Sequence, residues 1–348
     1  LIFIEGCIKI SKSLGLEVKR GIFLFLVPLI LGTNVLCSKR EKTVLRIGYQ
    51  PITDHLALMV AMEKGWLIEG LRKYGIEKIE LKEFPTGPQE IHAMMGGEID
   101  VAYVGSGPVI AGLYEGLQAK IIAGVHLQGY ALVIKKELAR EYKGASSLKG
   151  KKIATYPPGS VPHTVFVKFL MNNGISLEEL SLKTMGPSDA VLAMERGDVD
   201  GVFLPSPYPV ILVEEGIGEI VETSHSIWKG HACCVIAVRN ELINKHREML
   251  VEIIKVHIRA TEYIKTHTEE GVQIFSKWTN IKPSTIKLAF SLLDMEWIHN
   301  PELSIPSVLE YARVIYELNR ERLKSRKPLE ANEIFDVSIY KKAISEKF

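Results

Sequence analysis

The sequence predicts an α/β protein of two similar lobes, joined by two chain crossings and completed by a helical C-terminal tail. An internal repeat is the first sign. Gly97-Glu98-Ile99-Asp100-Val101-Ala102-Tyr103-Val104-Gly105-Ser106-Gly107-Pro108 is answered by Gly197-Asp198-Val199-Asp200-Gly201-Val202-Phe203-Leu204-Pro205-Ser206-Pro207. Upstream, Gly87-Pro88 and Ala93-Met94 match Gly186-Pro187 and Ala193-Met194. A period of about a hundred residues is too long for a solenoid unit. The second sign is the element order around each copy, β-α-β-α-β, which marks a largely parallel sheet with helices on both faces. The third is size: 348 residues, 47% hydrophobic and 24% charged, suffice for about two domains with real cores.

The chain opens on a leader. Lys19-Arg20 precede Gly21–Gly32, an apolar run too short for a membrane span of about 20 residues. Basic flank and length fit the core of a signal peptide. Cys37 and the charged tether Ser38–Lys42 follow, as in a lipoprotein signal, although Leu36 stands where a small residue is usual. Cys37 is the expected lipidation site, with an uncleaved anchor as the alternative. Residues 1–17 lie ahead of this signal, which places the expected start of translation near Val18.

In the first lobe, Thr43–Tyr49 reads as a strand and Gln50–Thr53 as a loop. Asp54 is the expected N-cap of a helix from His55 to Lys64, closed by Gly65. Ile79–Phe84 alternates as a strand, and Gly87-Pro88 opens a helix that ends at Gly96-Gly97. The repeat follows. Ala119–Val125 and Tyr130–Ile134 flank a break at 126–129, taken as the first crossing. The second lobe begins with Lys152–Thr155, and Pro162 suits the first turn of a helix running to Asn173. Leu182–Met185 and Ile220–Thr223 are further strands. Ala232–Val238 is a near-continuous apolar run, hence a central strand and the return crossing. From Asn240 the chain reads as helical, and this tail is expected on the first lobe. The resulting boundaries are 1–37 signal, 38–43 tether, 44–127 with 232–348 lobe one, and 128–231 lobe two.

Net charge of +2 and the lack of a basic stripe or aromatic-interleaved arginine run exclude nucleic-acid binding. Four cysteines, Cys7, Cys37, Cys233 and Cys234, give no disulfide framework. Adjacent cysteines on a strand should point to opposite faces. On that ground His231, Cys233 and Cys234 do not converge, and no metal site is expected. No nucleophile-plus-base motif, zinc-protease helix or phosphate loop is present, so the chain reads as a binding protein and not an enzyme, with no cofactor.

In open α/β sheets the ligand crevice lies at the carboxyl ends of the strands. Four loops reach it: 49–55, 104–108, 156–164 and 204–209. Free backbone N–H groups at helix starts favour an anion, and Gly105, Gly107 and Gly159 let the backbone come close. Tyr49, Tyr103, Tyr156, Phe203 and Tyr208 fall at strand ends and can line the pocket. His55 and His126 also lie near it.

Ile47-Gly48-Tyr49 with Pro51, Thr53-Asp54-His55-Leu56-Ala57, Glu63-Lys64-Gly65 and Gly96–Gly105 resemble the nitrate, sulfonate, taurine and bicarbonate binding proteins of ABC importers. The resemblance runs from about residue 44 to 270. It implies a periplasmic-binding-protein type II fold, an extracytoplasmic location, and delivery of a small solute to a permease driven by an ATPase subunit. It places His163 after Gly159-Ser160 as an oxyanion contact, and Lys229 after Trp228 likewise. Tyr130 stands where the family often has glutamine, which leaves room for a sulfonate bulkier than nitrate.

The expected ligand set is therefore Thr53, Asp54, His55, Gly105, Ser106, Gly107, Tyr130, Ser160, His163, Thr164, Pro205, Ser206 and Lys229, with His163 and Lys229 balancing the charge of an aliphatic sulfonate, taurine or nitrate. The expected protein is a membrane-anchored monomer. Two alternatives stand beside it: a binding protein for an aromatic pyrimidine precursor of thiamine, and an enzyme on the same fold, of the pyrimidine synthase or chorismate dehydratase type.

Overall fold

A computed structural model describes residues 44–323 and 326–346. The leader, the tether and Cys37 lie outside the described residues. Among the described residues no helix is long and apolar enough to cross a membrane.

The chain lays down β1 (Val44–Tyr49), α1 (Leu56–Glu63), β2 (Lys78–Glu83), α2 (Gly87–Met95), β3 (Val101–Gly105), α3 (Ser106–Glu115) and β4 (Ala119–Leu127). It then forms β5 (Tyr130–Lys135), β6 (Lys152–Thr155), α4 (Val161–Asn172), β7 (Ser181–Thr184), α5 (Pro187–Glu195), β8 (Gly201–Pro205), α6 (Tyr208–Glu214) and β9 (Gly218–Thr223). It returns through β10 (Ala232–Arg239), and a short β11 (Glu296–Trp297) sits within the helical tail.

Two sheets result. One has the order β11-β4-β10-β3-β1-β2, the other β7-β6-β8-β5-β9. In each, three strands run parallel, β2-β1-β3 and β7-β6-β8. The next strands, β10 and β4 or β5 and β9, are antiparallel. The sheets are therefore mixed where the sequence suggested mostly parallel ones. The reason is the exchange of strands: β5 arrives from the first sheet and β10 from the second, so each enters its sheet against the local direction.

The repeat has a mechanical role. At the end of α2, Gly97 adopts φ +75°, and at the end of α5, Gly197 adopts φ +79°, a left-handed geometry that favours glycine. In both copies the next residue bonds back into the helix: Glu98 N–H donates to the Ala93 carbonyl at 2.8 Å, and Asp198 N–H to that of Ala193 at 2.9 Å. The second acid then clamps the first strand of its sheet. Asp100 accepts from the Arg46 N–H and Nε at 3.1 Å and from Nη2 at 3.0 Å. Asp200 accepts from the Lys152 N–H at 2.9 Å. Asp100 is fully buried, whereas the Asp200 side chain is 28% exposed.

α1 is not capped by Asp54. A 3-10 turn, Thr53–His55, precedes the helix, and His55 is its N-cap residue. This turn frees the Asp54 carboxylate to face inward. In the tail, α7 (Arg247–Thr266) and α8 (Thr268–Thr279) pack on α1. The tail also reaches the second sheet's layer. α9 (Pro283–Leu292) packs on α6, and α10 (Ile305–Leu318) packs on α3 and α4, with Lys168 and Glu310 paired at 2.7 Å. The clasp on the second sheet's layer goes beyond the expected packing of the tail on the first lobe, because amphipathic periodicity does not say which neighbour covers the apolar face.

α7 also carries His257, fully buried, whose Nε2 donates to the Gly124 carbonyl at 2.9 Å. Burial lowers its pKa from 6.5 to about 4. The folded state thus binds fewer protons than the unfolded one between these values. The stabilisation is complete above about pH 6.5 and lost as pH falls toward about 4.

Two measurements follow. Asp100→Ala is expected to cost about 3 kcal/mol in chemical denaturation, because it strands Arg46 and the β1 N–H, and Asp200→Ala only about 1 kcal/mol. Equal costs would contradict the difference in burial. His257→Phe is expected to flatten the loss of stability between about pH 7 and about pH 5, a loss on the order of 2 kcal/mol for this group; an unchanged slope would show that His257 is not responsible.

Candidate functional site

The carboxyl ends of β1 and β3 face those of β6 and β8. Between them lies a cavity of about 10 Å³ lined by Gln50, Ile52, Gly87, Gly105, Pro108, Tyr130, Tyr156, Ser160, Val161, Pro162, Pro205 and Cys234. That is room for roughly one water, so the cleft is closed. A neighbouring cavity of about 170 Å³ shares Gln50, Ile52 and Tyr156 and opens past Glu83, Ser188, Asp189 and Tyr208. Larger cavities of about 310 and 390 Å³ lie at the opposite strand ends, around Asp200 and around Gly97. Helix starts do not converge there, so the cleft is the better site despite its small volume.

Three helix N-termini meet at the small cavity. α2 starts at Gly87, α3 at Ser106 directly after β3, and α4 at Val161 behind the Ser160 cap. The expected glycine-rich loop after β3 is thus no loop at all: the strand passes straight into α3. Closure is tight. A Cβ on Gly107 would lie 2.9 Å from the Gly159 carbonyl oxygen and 3.1 Å from the Val161 nitrogen. Only glycine permits this approach of two helix starts.

The hydroxyls of the expected set are mostly engaged within the protein. Ser160 Oγ accepts from the His163 N–H at 3.3 Å, and Thr164 Oγ1 donates to the Ser160 carbonyl at 2.8 Å. Ser106 Oγ donates to the Ala232 carbonyl at 3.4 Å. Thr53 Oγ1 reaches across the cleft to the Ser206 carbonyl at 3.4 Å. Other buried polar atoms near the cleft have no protein partner among the described residues: Thr86 Oγ1, Glu90 Oε1, Tyr156 OH, His163 Nδ1 and Ser206 Oγ. Buried polar atoms are nearly always paired, so these are the candidate groups for contact with a solute.

Charge is arranged differently from expectation. His163 is buried, and that burial lowers its pKa to about 4. It is neutral near pH 7 and offers no cationic balance. Lys229 is exposed on the turn before β10 and lines neither cleft cavity. The lysine over Trp228 is Lys168, its Nζ 4.8 Å from the ring centroid. His55 accepts the Gln50 N–H on Nδ1 at 2.9 Å, and burial lowers its pKa to about 3. Among the described residues, no lysine or arginine lines either cavity.

Acids are present instead. Burial raises Asp54 to about 7 and holds Glu90 well above the usual carboxylate range, with Gln50 Nε2 donating to Glu90 at 3.0 Å. Glu90 was not singled out from sequence, yet the repeat contained the signal. Gly87-Pro88-Gln89-Glu90 matches Gly186-Pro187-Ser188-Asp189, and both acids come to the cleft region.

Tyr130 crosses from the second sheet. Its ring stacks between Phe203, 6.0 Å away, and His231, 5.8 Å away. Its hydroxyl lies 2.6 Å from Cys233 Sγ. Cys233 Sγ donates to Asp54 Oδ2 at 2.7 Å, and Cys234 Sγ lies 3.5 Å from the same oxygen. The two sulfurs are 3.2 Å apart, so the expectation of opposite faces is overturned. The cause is local: the β10–β4 register shifts on both sides of Cys234, and a bulge breaks the two-residue alternation. His231 does turn away, its Nδ1 meeting Tyr311 OH at 2.8 Å.

The closed geometry makes one prediction. Gly107→Val should hold the cleft open, lowering solute affinity by roughly tenfold or more, about 1.4 kcal/mol, and expanding the protein in solution scattering. Wild-type dimensions and affinity would show that the α3–α4 approach is not part of closure.

Comparison with known proteins agrees with this architecture. The chain is 27% identical over 306 residues to a protein of Bacillus subtilis (strain 168) named for the binding of aliphatic sulfonates, covering 87% of this chain and 88% of that one. Among solved structures, the alkanesulfonate-binding protein SsuA from Xanthomonas axonopodis pv. citri, bound to MOPS, superposes with a TM-score of 0.72 at 19% identity, over 84% of this chain and 98% of that one. The periplasmic nitrate-binding protein NrtA from Synechocystis PCC 6803 gives a TM-score of 0.73 at 15% identity, over 88% and 89%. These relatives are solute-binding proteins, and the shared architecture is the periplasmic-binding-protein fold. A model of the NMT1-like family matches residues 38–278, and the chain belongs to that family.

Proposed function

We propose that this protein is the extracytoplasmic solute-binding component of an ABC importer, and that its solute carries a small anionic head. The carrying observation is the convergence of the α2, α3 and α4 N-termini on one cavity. Each helix start presents the positive end of a dipole and the first-turn N–H groups that remain, since Pro88, Pro108 and Pro162 carry none and the His163 N–H is held by the Ser160 cap. Backbone amides take the place of the cations His163 and Lys229. A neutral His163 and a Glu90 held toward its protonated form serve as hydrogen-bond donors or acceptors without adding net charge. The solute enters while the sheets are apart, the helix starts grip it, and the jaws close as in hinge-type binding proteins. A permease with its ATPase subunit reads the closed form. The protein acts as a monomer, tethered to the outer face of the membrane through Cys37, and performs no chemistry on the solute. The sulfonate and nitrate named for the relatives support this reading.

A second reading rests on the acids and aromatics. Tyr130 and Tyr156 line the cavity, Glu90 and Asp54 stand behind it, and among the described residues no lysine or arginine lines it. That surface also suits a neutral aromatic ring with N–H donors, such as an aminopyrimidine.

Calorimetry separates the two. Ethanesulfonate, taurine and nitrate are titrated against an aminopyrimidine, with the protein first unfolded and refolded to remove carried solute. Oxyanion binding that Glu90→Gln leaves intact, and that Ser160→Pro weakens by disrupting the α4 start, supports the amide site. Binding of the ring compound alone, lost in Glu90→Gln, would replace the oxyanion reading with the second one.

A further inference from the structure

Behind the cleft the fold gathers a group of side chains that solute binding does not require. Asp54 comes from the 3-10 turn before α1, and Cys233 and Cys234 come from the bulged start of β10. All three are buried, and their carboxylate oxygen and sulfur atoms lie within 4.8 Å of one another. A fourth group approaches the cluster from the Asp54 side. His126 of β4 lies opposite Cys234 in the ladder, fully buried, with Nδ1 3.6 Å from Asp54 Oδ1. Neither of its ring nitrogens has a hydrogen-bond partner among the described residues. An imidazole buried with both nitrogens unpaired is costly, and this one faces the Asp54 carboxylate from the strand position paired with Cys234.

We propose that Asp54, His126, Cys233 and Cys234 form a binding site for a single thiophilic divalent cation of the zinc type. Two thiolates, an imidazole nitrogen and a carboxylate oxygen make a four-donor set of the kind that selects zinc over oxygen-seeking ions. Binding releases the two thiol protons, and the carboxyl proton where Asp54 holds one, to solvent, and the cation offsets two of the three negative charges that remain. Tyr130 OH, 2.6 Å from Cys233 Sγ, donates to that thiolate and holds it in place. The sulfurs, 3.2 Å apart, separate to about 3.8 Å around a tetrahedral ion with Zn–S bonds near 2.3 Å, a small side-chain rotation. The ion ties the turn before α1 to β4 and β10, the strands on either side of the chain crossings. The site stands on its own donors and does not depend on which solute the cleft takes.

The test uses the full chain, reduced and treated with chelator, then titrated with zinc alone and with cobalt(II) as a spectroscopic probe. One zinc per chain is expected, with thiolate-to-cobalt charge-transfer bands. Cys233→Ser and Cys234→Ser should abolish those bands, and His126→Gln should weaken zinc affinity by at least about tenfold. Retained stoichiometry and bands in a Cys233→Ser/Cys234→Ser variant that still melts cooperatively would overturn the proposal. Should that variant fail to fold, alkylation of the wild type decides. Zinc must shield both cysteines and raise the melting temperature, and labelling that ignores zinc overturns the site. So does recovery of a Cys233–Cys234 disulfide from freshly isolated protein.

Discussion

The structure depends on one buried strand. β10 lies between β3 and β4 in the middle of the six-stranded sheet, and Ala232 to Val238 are all essentially inaccessible. Burying each valine or isoleucine there contributes roughly 1.5–3 kcal/mol. Yet β10 enters from the second sheet, so this hydrophobic contribution also fixes where the two sheets are joined. Its well-paired end is plain antiparallel ladder. Its entering end is bulged, and the bulge turns two sulfurs toward Asp54. Stability and the chemistry at the base of the cleft are thus two ends of the same strand.

The cleft itself is governed by desolvation more than by fixed charge. His55, His126, His163 and His231 are all held neutral near pH 7 by burial. Asp54 and Glu90 are pushed toward their neutral forms by the same cause. What remains is the field of the backbone. Helix starts cannot titrate away, and they need no counter-ion in the closed state. A pocket built from amides and neutral donors can therefore shut almost completely without trapping an unpaired side-chain charge. The C-terminal clasp of α9 on α6 and of α10 on α4 spans the two sheet layers and ties the closed arrangement together from outside.

Much of this was legible in the residues. The repeat announced two related units, and its glycines and acids do in both what local chemistry demands: Gly97 and Gly197 turn the chain, and Asp100 and Asp200 clamp the first strand. Helix bounds followed where a cap or proline marked them, as at Gly87-Pro88 and Ser160. The fold named by resemblance is the fold found. Local rules failed where a side chain had two options. Asp54 has the residue type of an N-cap, but a 3-10 turn at Thr53–His55 gave it a buried partner instead. Cys233 and Cys234 obey strand alternation only if the strand is regular, and it is not.

By itself the sequence determined the class of fold, the crossings, the four chain segments that reach the cleft and the glycines that allow close approach. These follow from short-range periodicity and from residue types whose backbone preferences are strong. The tertiary structure alone decided that three helix starts converge, that His163 is neutral and Lys229 lies outside, and that Asp54, His126, Cys233 and Cys234 come together. Those facts depend on burial and on register between strands far apart in the chain. Neither quantity is carried by any local stretch of residues.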